Sequence, residues 1–149
     1  MRRIQRAIDK EPIVKSLTDG EYPCFREIFR LLIFAAILGL KLKRREPLEK
    51  VDSGKSVPET YFANSPVWPG LIYLIGIVET TSTGVLQAND QAEDTLATVF
   101  EEYANGGLAF LKERFDEAQV DIVSLIDIIN ELTVTVPARN PNLADIAII

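Results

Sequence analysis

The feature that most constrains this chain is an unbroken apolar run over residues 31–40. Ten helical residues rise about 15 Å, roughly half of a bilayer core of about 30 Å. Arg26, Glu27 and Arg30 precede the run, and such charged side chains are costly at membrane depth. The run therefore predicts a buried central helix of a soluble protein, over about residues 24–43, and no membrane segment.

The residue types that are missing exclude several kinds of catalytic site. The chain has no histidine and one cysteine, Cys24. Without histidine there is no Ser-His-Asp or Cys-His nucleophilic site and no histidine-ligated zinc. A single cysteine excludes an internal disulfide framework and indicates a reducing compartment, for which we take the cytoplasm. Because no catalytic motif is visible, we predict a non-enzymatic protein that uses no cofactor and no metal.

Residue spacing predicts a mainly helical fold: a compact single-domain bundle over residues 1–136, built around the buried central helix. A long amphipathic helix is expected from about Gln91, and Gly106-Gly107 is expected to interrupt it. Residues 48–62 fit either a short β-hairpin or an ordered loop, since Pro58 restricts any strand there to an edge.

The last residues, 137–149, form an apolar C-terminal tail. Exposed apolar area usually marks a contact surface. The tail is therefore expected to dock on its own domain, on a partner protein, or on a second copy in a homodimer. Its candidate contact residues are Ile146, Ile148 and Ile149.

Charge is distributed unevenly along the chain, whose formal net charge is −6. Residues 1–50 carry 12 Lys/Arg against 7 Asp/Glu, whereas residues 51–149 carry 4 against 15. One interpretation is that the two halves neutralise each other, within the fold or between subunits. The other is that the basic half binds an anion that the acidic half repels elsewhere.

Two motifs resemble functional sites without meeting their requirements. DSGKS at 52–56 copies the end of a phosphate-binding loop, but Glu49 stands where that loop needs glycine, so a turn is predicted. A set of carboxylates on the long helix lies largely off its apolar stripe, which predicts a solvated face rather than a metal or acid–base site. These carboxylates are Asp90, Glu93, Asp94, Glu101 and Glu102.

A basic cluster follows the central helix and consists of Lys41, Lys43, Arg44 and Arg45. Four cations so close together would hold phosphate oxygens through contacts that do not depend on base sequence. Cations also suit the C-terminal end of a helix because of its dipole, and they can pair with carboxylates of the same chain. The basic cluster is therefore the candidate nucleic-acid contact, with helix-end or intramolecular pairing as the alternative.

Two segments resemble a known protein family. They read FREIFRLLIFAAILGLKLKRREPLE at 25–49 and FEEYANGGLAFLKE at 100–113. Both are similar to the dnd-system-associated proteins of the type numbered four, which are linked to bacterial DNA phosphorothioation loci. The resemblance implies a role beside the machinery that places sulfur on the DNA backbone or restricts DNA lacking it. It assigns no catalytic residue.

Residues and resemblance together predict a non-enzymatic accessory or adaptor protein of a DNA modification–restriction system that defends against phage. Such a protein acts by contacts with protein components of the same system. The alternative is a small DNA-binding regulator that contacts the phosphate backbone through the basic cluster. Salt dependence distinguishes the two, because phosphate binding weakens steeply as salt rises.

Overall fold

The computed structural model describes residues 1–66, 68–115 and 120–134, and it confirms a mainly helical fold. In chain order the α-helices are α1 (Glu11–Thr18), α2 (Ile28–Lys41), α3 (Thr60–Ala63), α4 (Leu71–Thr80), α5 (Asp90–Arg114) and α6 (Ile122–Val134). Short 3-10 turns lie at Ile8–Lys10, Ser53–Lys55 and Thr83–Leu86. The chain divides into two units: the first contains α1 to α5, and the described part of the second is α6.

Helix α2 is the buried central helix that the apolar run predicts. Leu31, Ala35 and Ala36 are fully buried in it. It begins at Ile28, later than residue 24, because the backbone of Glu27 is extended. Among the described residues, none of the helices combines the length and the apolarity that crossing a membrane requires.

The core of the first unit lies where α2 packs along α5. Glycines permit the close approach: a Cβ atom on Gly107 would overlap the carbonyl oxygen of Ala35, and one on Gly39 would overlap that of Tyr103. Helix α5 runs unbroken through Gly106-Gly107, so the predicted interruption is wrong. Rather than making a turn, Gly107 allows contact with the backbone of α2, and Gly106 allows contact with the backbone of Arg44 just beyond it.

Residues 48–59 form an ordered loop that leads into α3, and the alternative of a hairpin over residues 48–62 is wrong. Val57 and Val51 form isolated antiparallel bridges with Ile4 and Ala7 instead of with each other. The amide of Ile4 donates to the carbonyl of Val57, and the amide of Val57 donates back, both at 2.8 Å. This pairing is favoured because Ile4, Ala7 and Val57 become buried, whereas an isolated hairpin has little stability in water.

Two predictions concern residues outside those that the structure describes, wholly or in part. Ile146, Ile148 and Ile149, the candidate partner contacts of the C-terminal tail, lie there with the rest of residues 137–149. Their contacts stay a prediction. The extent of a single domain over residues 1–136 also stays a prediction.

Candidate functional sites at the two ends of helix α2

The C-terminal end of α2 turns sharply and carries the basic cluster onto α5. Lys43 has a left-handed backbone, with φ of 53°. The amide of Arg44 donates to Gly39 at 2.8 Å and that of Lys43 donates to Leu40 at 3.1 Å. These are the two bonds of a Schellman motif, in which glycine is usual at the left-handed position. The motif reverses the chain so that the residues after Lys43 face α5.

Arg44 is held there by two carboxylates. Its Nη1 and Nη2 atoms donate to the two oxygens of Glu113 at 2.9 and 2.6 Å, and its Nε atom donates to Glu46 at 2.6 Å. The hydrogen bond from Arg44 lowers the pKa of the Glu113 carboxyl below its usual value. A guanidinium in this two-point geometry has few donors left for another anion.

Arg45 belongs to a second network, which reaches α4. Its Nη1 atom donates to Glu79 at 2.8 Å, and its Nε atom donates to Glu102. The Tyr103 hydroxyl donates to the other oxygen of Glu79. The hydrogen bonds from Tyr103 and Arg45 lower the pKa of the Glu79 carboxyl, and burial followed by the bond to Glu79 raises the pKa of Tyr103. The network joins the end of α2 to α4 and α5.

Lys41 and Lys43 are the two members of the basic cluster that remain exposed and outside the ion pairs of the described residues. For Arg44 and Arg45, the structure supports intramolecular pairing, the alternative that the sequence left open. Contact with nucleic acid through the whole basic cluster stays a prediction, although carboxylates of the same chain already bind two of its four cations.

The carboxylates of α5 bind the N-terminal segment. Glu101 is 6% exposed, and its two oxygens accept hydrogen bonds from the Arg2 guanidinium, one of them at 2.9 Å. The amide of Gln5 donates to Glu101 at 2.6 Å, and Arg2 also donates to Asp94 at 2.6 Å. The hydrogen bond to Glu101 raises the pKa of Arg2. The predicted solvated face is therefore wrong for Glu101, and the basic and acidic halves neutralise each other within the fold.

An open apolar groove of about 970 Å³ lies beside the first part of α2, away from the basic cluster. Trp68 is 50% exposed in it, and Arg26 and Arg30 line it as well. Its apolar lining includes Phe25, Phe29, Ile33, Phe34, Ile37 and Trp68. We call it the apolar groove. Apolar side chains that converge in an exposed groove are typical of a contact surface.

A second groove, of about 600 Å³, is cationic and shares Arg26 and Phe29 with the apolar groove. Its cations are Arg3, Arg6, Arg26 and Lys55. We call it the cationic groove. The DSGKS segment forms a turn, as predicted, and its 3-10 conformation at Ser53–Lys55 places Lys55 in the groove. Sequence reasoning missed the cationic groove because its members come from three separate segments.

These features lie in segments that a family model covers. The model of DNA sulphur modification system-associated protein 4 matches residues 3–141. The chain belongs to this family. Comparison with curated proteins and with solved structures gives no match. The predicted resemblance is thus confirmed, and the family name links the chain to a DNA sulphur modification system as an associated protein.

Membership of the DNA sulphur modification system-associated family gives no residue a role. Three surfaces of the described residues are the candidates for binding a partner or a ligand. These are the apolar groove, the cationic groove, and the exposed pair Lys41 and Lys43.

Proposed function

We propose that the protein is a non-enzymatic accessory or adaptor of a DNA sulphur modification system and that it acts by binding other protein components of that system. Family membership supports the link to a DNA sulphur modification system. The observation that carries the mode of action is the apolar groove, in which Trp68 is half-exposed.

The charge distribution favours a protein partner over DNA at the end of α2. Arg44 and Arg45 each bind two carboxylates, so a phosphate would have to displace partners already held by charge-assisted hydrogen bonds. The net charge of −6 adds a general repulsion between the protein and a polyanion.

The apolar groove suits an amphipathic segment of a partner, with two or three apolar side chains inserted. Its volume of about 970 Å³ matches the upper range of pockets that bind ligands with good burial, roughly 300–1,000 Å³. Half-exposed tryptophan is typical of residues that dominate binding energy at interfaces.

We expect this protein to work in the cytoplasm, beside the enzymes that insert sulfur into the DNA backbone or restrict unmodified DNA of phage. Self-association through Ile146, Ile148 and Ile149 is a separate proposal. A concentration series in analytical ultracentrifugation, with and without residues 137–149, tests it.

Co-purification tests the role of the apolar groove. The tagged protein is co-expressed with the other proteins encoded by the same DNA sulphur modification locus. Trp68→Glu introduces a charge into the groove and is expected to reduce recovery of the partner at least tenfold. Leu74→Glu is the matched control, because Leu74 is 56% exposed on α4 and does not line the groove. Equal recovery with both variants, or no partner with the wild type, contradicts the proposal.

Deletion of the gene in the host tests whether the protein contributes to modification or restriction. Loss of the protein is expected to lower either the phosphorothioate content of the DNA or the restriction of phage, and Trp68→Glu should reproduce that loss. Unchanged modification and unchanged restriction after deletion would refute an accessory role.

A further inference from the structure

Cations from three segments of the chain converge on the cationic groove. Arg3 and Arg6 come from the N-terminal segment, Arg26 precedes α2, and Lys55 ends the 3-10 turn. The first turn of α2 also opens onto the groove without a side-chain cap, so the positive end of the helix dipole adds to the potential there.

Carboxylates offset part of this charge. Glu27 lines the groove but accepts a hydrogen bond from Arg30 at 2.7 Å. Glu11 pairs with Arg6 and with Lys55, each at 3.2 Å. With these pairs counted, the cations still outnumber the carboxylates around the groove.

Arg3 and Arg26 are the cations whose charge no carboxylate of the described residues pairs with. Arg3 donates from Nε to the Ser56 hydroxyl at 2.7 Å and from Nη2 to the Ser56 carbonyl at 2.6 Å. These neutral partners orient the guanidinium and leave its charge intact. A pre-oriented guanidinium loses little conformational freedom when it binds a phosphate.

Tyr61 adds an aromatic face beside these cations. It is 56% exposed, and its ring stacks on Phe29 with centroids 5.9 Å apart and planes inclined by 12°. The stacking holds the ring in place, and more than half of the Tyr61 surface stays exposed to solvent. A positive groove with an aromatic platform is the combination by which proteins bind single strands without reading sequence.

We propose that the cationic groove binds single-stranded nucleic acid, with phosphates at Arg3, Arg26 and Lys55 and one base stacked on Tyr61. Single strands are favoured over duplex because duplex bases are already stacked on each other and cannot stack on the Tyr61 ring as well. They are favoured over an acidic peptide because carboxylate side chains have no aromatic face that could stack on the Tyr61 ring. This activity goes beyond the proposed protein contacts, and the groove lies at the other end of α2 from the basic cluster.

Fluorescence anisotropy of a labelled oligothymidylate with the purified full-length chain tests the proposal. Three phosphate contacts predict a slope of about −2 for log affinity against log salt, hence an affinity loss of about 20-fold between roughly 50 and 200 mM salt. Arg26→Gln combined with Lys55→Gln removes two contacts and should reduce the slope to about −0.7. Tyr61→Ala should weaken binding about tenfold with the slope unchanged, and Tyr61→Phe should retain binding.

The matched control is Lys15→Gln combined with Lys50→Gln, which removes the same charge from exposed lysines outside the groove and should leave binding intact. Thermal melting of each variant verifies that it is folded. Four outcomes overturn the proposal: no binding at the lower salt, equal loss in the control variant, tighter binding to duplex of the same length, or equal displacement by polyglutamate.

Discussion

Gly107→Ala is an informative substitution because helix propensity and packing predict opposite effects on stability. In a helix interior, alanine normally adds about 1 kcal/mol to the free energy of unfolding relative to glycine. At this position the added Cβ would overlap the backbone carbonyl oxygen of Ala35 on α2. Backbone of a buried helix cannot move aside as the end of a flexible side chain can. The two helices must therefore separate.

The size of the effect follows from these two contributions. Overpacking a dense core costs about 1–3 kcal/mol, and a clash with backbone belongs at the upper end. Subtracting the propensity gain leaves a net loss of about 2 kcal/mol. For a chain of this size that corresponds to a decrease in Tm of roughly 4–8 °C.

Urea unfolding followed by circular dichroism measures the change in free energy, and thermal melting gives the Tm. Gly70→Ala is the control, since a Cβ there meets no atom within 4 Å, and it should change stability by less than about 1 kcal/mol. A Gly107→Ala protein that is as stable as the wild type, or more so, would refute the close contact between α2 and α5.

Three further substitutions test the ion pairs and the core. The hydrogen bond from Tyr103 lowers the pKa of the Glu79 carboxyl below its unfolded value of 4.5. The carboxylate therefore stabilises the fold above pH 4.5, and this stabilisation is lost as pH falls through the lowered pKa. Between about pH 5 and pH 3, Glu79→Gln should lose less stability than the wild type in urea titrations. Arg2→Ala leaves the buried Glu101 carboxylate without its cation and should cost about 1–2 kcal/mol in urea unfolding, below the usual value for a buried pair because Arg2 is 37% exposed. Phe62→Ala, at a site 2% exposed, should cost about 3–5 kcal/mol by the same assay. An unchanged acid response, a neutral Arg2→Ala, or a loss below about 1 kcal/mol for Phe62→Ala would contradict the respective contact.

Local patterns suffice to place α2 and the start of α5 but not to predict the contact between them. The apolar run predicts α2 to within a few residues, because a helix apolar on all sides has to be buried. Two adjacent glycines locally oppose a helix, which is why Gly106-Gly107 is misread as a break. Gly107 lies against the backbone of Ala35 and Gly106 against that of Arg44, and these contacts with distant parts of the sequence exist only in the folded chain.

The candidate sites show the same limit. The charge distribution offers pairing between the basic and acidic halves as one of two interpretations, but it does not identify the pairs. Arg45 binds Glu79 and Glu102, which are 34 and 57 positions away. The cationic groove likewise joins Arg3 and Lys55, which no short window of sequence contains. The four cations of the basic cluster lie within five consecutive residues and are therefore the more visible candidates in the sequence.

Trp68 reports most directly on whether the apolar groove binds a protein of the DNA sulphur modification system. It is the only tryptophan in the chain, so labelling with fluorotryptophan gives a single fluorine NMR resonance from the groove. Titration with the co-purified partner should shift or broaden this resonance until the complex is saturated. A resonance that stays unchanged while size-exclusion chromatography shows the complex would contradict binding in the apolar groove.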